Sequence, residues 1–247
     1  MTRAEFRRTF VLAADSHFTS LALEQRSRAR RRYRHGPDLQ AAVVAAVAAL
    51  APRSVLEVGG GAGMLAAVIG RYLGVRVVAV DTNAALAADA HARGVRAVVA
   101  GVRALPFERA AVECVVADRA LRLPRDVDRG LPEIRRVLRL DGALVAVAQS
   151  SARDGHELAA LTGFDAPAPV DALSADHGAD VLGRHFRHVD QQTLDYTLEF
   201  PDGRAAARYV ATMPGRGAQA SRIAAVDHPI RLAHGMRLFV AQGPRPV

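Results

Sequence analysis

Ser54 to Gly63, SVLEVGGGAG, constrains this chain more than any other stretch. Val55, Leu56 and Val58 make a short apolar strand that carries one acid, Glu57, and breaks into Gly59, Gly60, Gly61, Ala62 and Gly63. An Ala-rich helical run, Met64 to Leu73, follows. Strand, glycine turn and helix together open a doubly wound α/β domain, in which ligands bind at the carboxyl ends of the strands. Spacing narrows the ligand. A G-x-G-x-x-G count from Gly59 reaches Met64 at its last position, and a count from Gly61 reaches Ala66, so the dinucleotide fingerprint is not met.

What fits is an acid two residues ahead of G-x-G-x-G: Glu57, Gly59, Gly61, Gly63. This pattern resembles the first motif of the class I S-adenosylmethionine (SAM)-dependent methyltransferases. The resemblance implies that the turn of Gly59, Gly60, Gly61 and Gly63 packs against the amino-acid end of SAM. It also implies that Glu57 contacts that end or orients groups that do. The strand Val75 to Val80 then ends in Asp81, 18 residues after Gly63, placed to accept two hydrogen bonds from ribose hydroxyls, with Thr82 beside it. The strand Arg96 to Ala100 leads into Gly101-Val102-Arg103-Ala104-Leu105-Pro106-Phe107. This run resembles the family's acid, small residue, two variable residues, Leu-Pro-Phe, in which the acid bonds the adenine amino group. Gly101 stands in the acid's place, so the adenine edge is left to backbone groups of Gly101 and Val102. Val112 to Ala117 is a fourth strand, closed by Asp118, which completes the cofactor set. Arg119 to Asp126 resembles the Leu-His-His-Leu-Pro-Asp region, with Arg122 where a His is common. Arg139 to Gly142 resembles the turn into strand five, Ala143 to Ala148. The motif order is continuous over residues 56–148 of 247.

Length and composition bound the rest. A chain of 247 residues suits one α/β domain with appendages. Half of it is apolar, and no run reaches the roughly 18 uncharged residues of a membrane span. Phe10 to Ala14 is too short for a signal peptide. A single cysteine, Cys114, rules out a disulfide framework and a cysteine metal site, and the expected location is the cytoplasm. The net charge is +8, and all 33 basic residues are Arg. A basic domain invites a nucleic-acid reading. Heavy Ala, Arg, Val and Gly use is also what a GC-rich coding sequence produces whatever the function.

The expected fold is a doubly wound, mostly parallel seven-stranded sheet with an N-terminal helical lid and a helical insertion near the C-terminus. Residues 1–35 read as the lid and 36–247 as the SAM-binding domain. The lid ends in a basic run, Arg26, Arg28, Arg30, Arg31, Arg32 and Arg34, around Tyr33. Such a run reads equally as a solvated helix face. Helices are predicted at 39–50, capped by Asp38, then at 84–93, 128–138, 150–163 and 173–186. Thr193 to Phe200 alternates as a strand, and Met236 to Ala241 is the closing strand. Between them lie two further predicted helices, 204–213 and 221–233, so 202–234 reads as an insertion over the acceptor site.

Methyl transfer from a sulfonium is an in-line displacement of an already reactive carbon, so the protein mainly aligns donor and acceptor and excludes water. A general base is needed only where the acceptor must lose a proton. Asp118, His156, Tyr33 and His35 are the candidates, although Asp118 capping a turn and His156 facing water fit equally well. His185 and His188, which flank Phe186, read as structural. No metal spacing is present, and none is expected. ADRALRLP at the end of strand four is not the Asn/Asp-Pro-Pro-aromatic turn of many nucleic-acid N-methyltransferases. The expected function is therefore transfer of a methyl group from SAM to O or N of a small molecule, leaving S-adenosylhomocysteine (SAH). An RNA acceptor held by the Arg run, or a degenerate fold acting as a binding subunit, remains open. Neither a membrane nor any assembly beyond a monomer or homodimer is expected.

Overall fold

The computed structural model describes residues 19–150, 156–163, 172–213 and 215–245. A seven-stranded sheet runs in the order β4-β3-β2-β5-β6-β10-β7. Its strands are β2 (Ser54–Val58), β3 (Arg76–Asp81), β4 (Arg96–Val99), β5 (Val112–Asp118), β6 (Leu138–Gln149), β7 (Phe186–Thr193) and β10 (Met236–Pro244). The first five pair in parallel; β10 runs antiparallel between β6 and β7. The doubly wound, mostly parallel sheet is as expected.

Period-two alternation splits the core between the two faces. Val55, Cys114, Val116 and Val145 face helices α2 (Leu39–Leu50) and α3 (Met64–Leu73) through Val43, Val47 and Ile69. Leu56, Val115, Leu144 and Phe239 face α5 (Pro124–Val137) through Leu131 and Ile134. Local chemistry sets the helix ends. Asp38 caps α2 by accepting from Gln40 N and Ala41 N, and Asn83 does the same for α4 (Ala84–Ala92). Helix α5 starts four residues earlier than the amphipathic pattern begins, because Pro124 occupies its first turn.

The C-terminal third departs from expectation. Strand six of the sheet is β7, Phe186–Thr193, where the sequence pattern ends a helix. Helix α7 covers only Gly178–Gly183, and it starts where a Cβ at Gly178 would lie 2.6 Å from the Phe239 ring, so the close approach there needs glycine. The alternating segment is a strand, β8 (Tyr196–Phe200), but it leaves the main sheet. It pairs antiparallel with β1 (Arg34–His35) and β9 (Ile230–His234) in a second, three-stranded sheet. The predicted helix 221–233 is α9 (Gly217–Ile223), and Pro229 ends the intervening loop where β9 begins. The insertion therefore holds the two expected helices, α8 (Gly203–Val210) and α9, between two strands that were read as helix or placed in the wrong sheet. Leu198, Phe200, Tyr209 and Ile223 share the core of the α2/α3 face, so the insertion is fused to the domain.

Helix α1 (Ser20–Tyr33) accounts for most of the described part of the N-terminal segment read as helical, but Arg34–His35 at its end are strand β1; residues 1–18 lie outside the described residues. Helix α6 (His156–Thr162) matches the end of the predicted 150–163 helix, whose residues 151–155 lie outside them too. No helix among the described residues is long and apolar enough to cross a membrane.

Candidate functional site

At the carboxyl ends of β2, β3 and β5 the expected cofactor residues come together. The turn after β2 uses left-handed backbone at Gly61 (φ 54°) and Gly63 (φ 73°). A Cβ at Gly63 would stand 2.8 Å from Ala90 Cβ, so α3 and α4 approach through the missing side chain. Asp81, at the tip of β3, accepts from Gly61 N at 2.9 Å and from Asn83 N at 2.8 Å. One carboxylate thus locks the glycine turn to the second strand. Each of its oxygens retains a second acceptor position.

Glu57 is only 3% exposed and accepts from Ala66 N at 3.0 Å, which ties β2 to the first turns of α3. Burial pushes its carboxyl up to about 8, and the charges of Asp118 and Asp81 add to the push against the Ala66 hydrogen bond. Gly101 lies beside exposed Thr82, whose Cγ2 would be 3.3 Å from a Cβ there, and Val102 is buried against Gly130.

Asp118 is held by the next residue. Arg119 donates through Nε and Nη2 to its two oxygens at 2.9 and 3.1 Å, and each side chain is about a quarter exposed. Burial pushes the Asp118 carboxyl up, but the Arg119 guanidinium and its hydrogen bonds, with Arg30 behind them, outweigh burial and hold it below the usual range. A carboxylate so held is a weaker base than a free one. Arg119 has φ 54°, a left-handed conformation that side chains rarely adopt, and its N–H donates to Val147 O at 3.0 Å.

Helix α1 lies over this end of the sheet. Leu23 Cδ1 is 3.3 Å from where a Cβ of Gly61 would stand. Ser20 bonds Asp89 and Arg93 pairs with Glu24, anchoring the start of α1 to α4 and the residue after it. Arg26 Nε donates to Thr212 Oγ1 at 3.2 Å, and Arg30 Nε to Tyr209 Oη at 3.4 Å, anchoring its second half to α8 and the turn beyond. Arg26 is depressed to about 10, first by burial and then by Arg30, with Arg119 adding and Tyr209 opposing. Arg28, Arg31 and Arg32 point outward and are exposed.

The other catalytic candidates do not join one cluster. Tyr33 packs on Phe200, ring centroids 4.9 Å apart, with Arg32 over its ring. His35 is mostly exposed and 3.5 Å from Glu199 on β8. His156 opens α6, and its side chain lies outside the described residues. Among the described residues no group of three or more His, Cys, Asp and Glu side chains is arranged to hold a metal ion. Arg119, Arg26, Arg30, Tyr209 and Tyr196 were not singled out individually from sequence. Arg26 and Arg30 were visible only as members of the basic run, which does not say which of its arginines face inward.

Comparison with known proteins agrees with this geometry. Residues 56–146 match the model of a family described as "Methyltransferase domain". A Micromonospora griseorubida protein assigned as a 23S rRNA (guanine-N(1)-)-methyltransferase is 30% identical over 234 residues, spanning 83% of this chain and 74% of that protein. A Bacillus halodurans crystal structure assigned as a methyltransferase has a TM-score of 0.58 at 18% identity, covering 83% of this chain and 98% of its own. The geranyl diphosphate C-methyltransferase of Streptomyces coelicolor, solved with Mg2+, geranyl diphosphate and SAH, has a TM-score of 0.51 at 15% identity, covering 78% and 71%. With the sheet order, the glycine turn and the paired acids in place, the chain belongs to the class I SAM-dependent methyltransferases.

Proposed function

We propose that this chain transfers the methyl group of SAM to an oxygen or nitrogen atom of a small molecule and releases SAH. The carrying observation is the joint formed by Asp81, whose carboxylate fixes Gly61 N at 2.9 Å and still has an acceptor position on each oxygen. A ribose diol fits those positions. The amino-acid end of SAM then lies along Gly59, Gly60, Gly61 and Gly63 under Leu23, with Glu57 orienting the turn from beneath through α3. Thr82, Gly101 and Val102 flank the adenine, and Asp118 closes the floor towards the acceptor. Helix α1 and the insertion cover the site, which supports a small acceptor shielded from water. Where the acceptor must lose a proton, the group that takes it has to be in its basic form, and Asp118, Tyr33, His35 and His156 are the candidates for that role.

The test is Asp81→Ala, read by calorimetric titration with SAM. Losing a charged acceptor weakens SAM by about 1–3 kcal/mol. A folded variant that binds SAM as the wild type does would place the ribose elsewhere.

A second reading has two observations in its favour. The 30% identical relative is assigned to ribosomal RNA, and Arg28, Arg31 and Arg32 form an exposed basic face on α1. An RNA acceptor requires affinity that falls steeply with salt. Methylation of ribosomal RNA by the purified protein at physiological salt would replace the small-molecule reading.

A further inference from the structure

The basic run of α1 is two surfaces, and only one faces outward. Leu23, Arg26, Arg30 and Tyr33 follow one another along the inner stripe: Leu23 over Gly61, Arg26 on Thr212, Arg30 on Tyr209, Tyr33 on Phe200. The stripe starts over the turn assigned to the donor's amino-acid end and runs towards the insertion, the side left for the acceptor. Arg119 rises from the tip of β5 below it. It takes a left-handed backbone where glycine is the default, yet its N–H is pinned to Val147 O and its fork to Asp118.

Resting on the methyl-transfer reading, we infer that the acceptor carries an oxyanion, a carboxylate or a phosphate, received between Arg119 on the floor and Arg30 and Arg26 on the cover. Arg119 pairs with Asp118, Arg30 bonds Tyr209 and Arg26 bonds Thr212, and the three guanidinium groups lie near enough that the charge of Arg30 acts on Asp118 and those of Arg30 and Arg119 on Arg26. A guanidinium has five N–H donors in a planar fork that matches carboxylate and phosphate oxygens. Arg119 gives two of its five to Asp118 and Arg30 gives one to Tyr209, so each keeps donors for a ligand. Bringing like charges together in a partly buried site is unfavourable in isolation, and an arriving anion relieves it. The site lies beneath α1, which suits a small anion; a nucleic-acid backbone would meet Arg28, Arg31 and Arg32 on the outer face.

The experiment is calorimetric titration of the SAH-loaded full chain with inorganic pyrophosphate and, separately, with malonate, which distinguish a phosphate from a carboxylate preference. The wild type saturates with at least one probe, and Arg119→Gln and Arg30→Gln each weaken it about tenfold or more while SAH affinity stays within about twofold. Arg30→Gln, on the half-buried face of α1 and outside the sheet, keeps the test valid should Arg119→Gln fail to fold. Three results overturn the inference: saturation by neither probe, wild-type affinity in both folded variants, or weakening that follows R28A/R31A/R32A instead, as an RNA-binding face requires. A wild type that does not bind SAH refutes the methyl-transfer reading alone, and the same titrations on the unloaded chain still decide the anion site.

Discussion

The buried carboxyl of Glu57 ties the stability of this fold to pH in an unusual direction. In the folded chain burial raises it to about 8, where its ordinary value is 4.5. Below pH 4.5 the proton is bound in both states and this group costs the folded chain nothing. Between 4.5 and about 8 the folded chain holds the proton while the unfolded chain has lost it, so stability falls as pH rises. The whole gap is worth about 5 kcal/mol, and the part between pH 5 and pH 8 about 3–4 kcal/mol. Against a domain stability of about 5–15 kcal/mol that is a large fraction. Glu57→Gln keeps an acceptor for Ala66 N and cannot ionise, so it removes this dependence while preserving the joint between β2 and α3. Urea unfolding of both proteins without SAM at pH 5 and pH 8 measures the difference. The wild type should lose about 3–4 kcal/mol more than Glu57→Gln over that interval. Parallel curves, agreeing within about 0.5 kcal/mol, would show that Glu57 is ionised in the fold and refute the account of its burial.

Two glycine substitutions examine the same crevice from either side. Gly63→Ala puts a Cβ 2.8 Å from Ala90 Cβ at φ 73°, and left-handed strain plus overpacking should cost about 2–4 kcal/mol in urea unfolding; a loss below about 0.5 kcal/mol would show that α4 yields easily. Gly101→Asp restores an acid where the resembled motif has one, needing only a few tenths of an ångström of give from exposed Thr82. It should tighten SAM by about 0.5–1.5 kcal/mol in calorimetry, and a folded variant with unchanged or weaker affinity would put the adenine elsewhere.

The parts of this fold that could be read from sequence are those whose signals are local. The strand, glycine turn and helix from Ser54 to Leu73 are specified by neighbouring residues, and so is Asp81 at its strand tip. Strand β7 carried no such signal. As the sheet's edge it leaves Arg187, His188, Asp190, Gln191, Gln192 and Thr193 exposed, so both faces are polar and the period-two alternation disappears. Strand β8 did alternate, because Tyr196, Leu198 and Phe200 are buried, but alternation does not name a partner. It pairs instead with β1 and β9, and next to β1 a Cβ at Gly36 would stand 3.1 Å from Asp195 O and Tyr196 Cα, a contact across 160 residues that no local pattern announces. The arginines were visible as a run and illegible as two faces, since the docking of α1 on α4 and α8 decides which of them turn inward.

That docking also joins the two covers of the site. Helix α1 runs directly into β1, and β1 pairs with β8, Arg34 opposite Leu198 and His35 opposite Thr197. Leu23 over the glycine turn and Tyr209 in the insertion are therefore linked both through Arg30 and through the small sheet. Lifting α1 off Gly61 means parting Arg26 from Thr212 and Arg30 from Tyr209, or carrying the insertion with it. On the proposed methyl-transfer reading, the donor's cover and the acceptor's wall are one mechanical unit. An acceptor anion bridging Arg30 and Arg119 would add a link between that unit and the tip of β5, drawing the cover down where the methyl group is transferred.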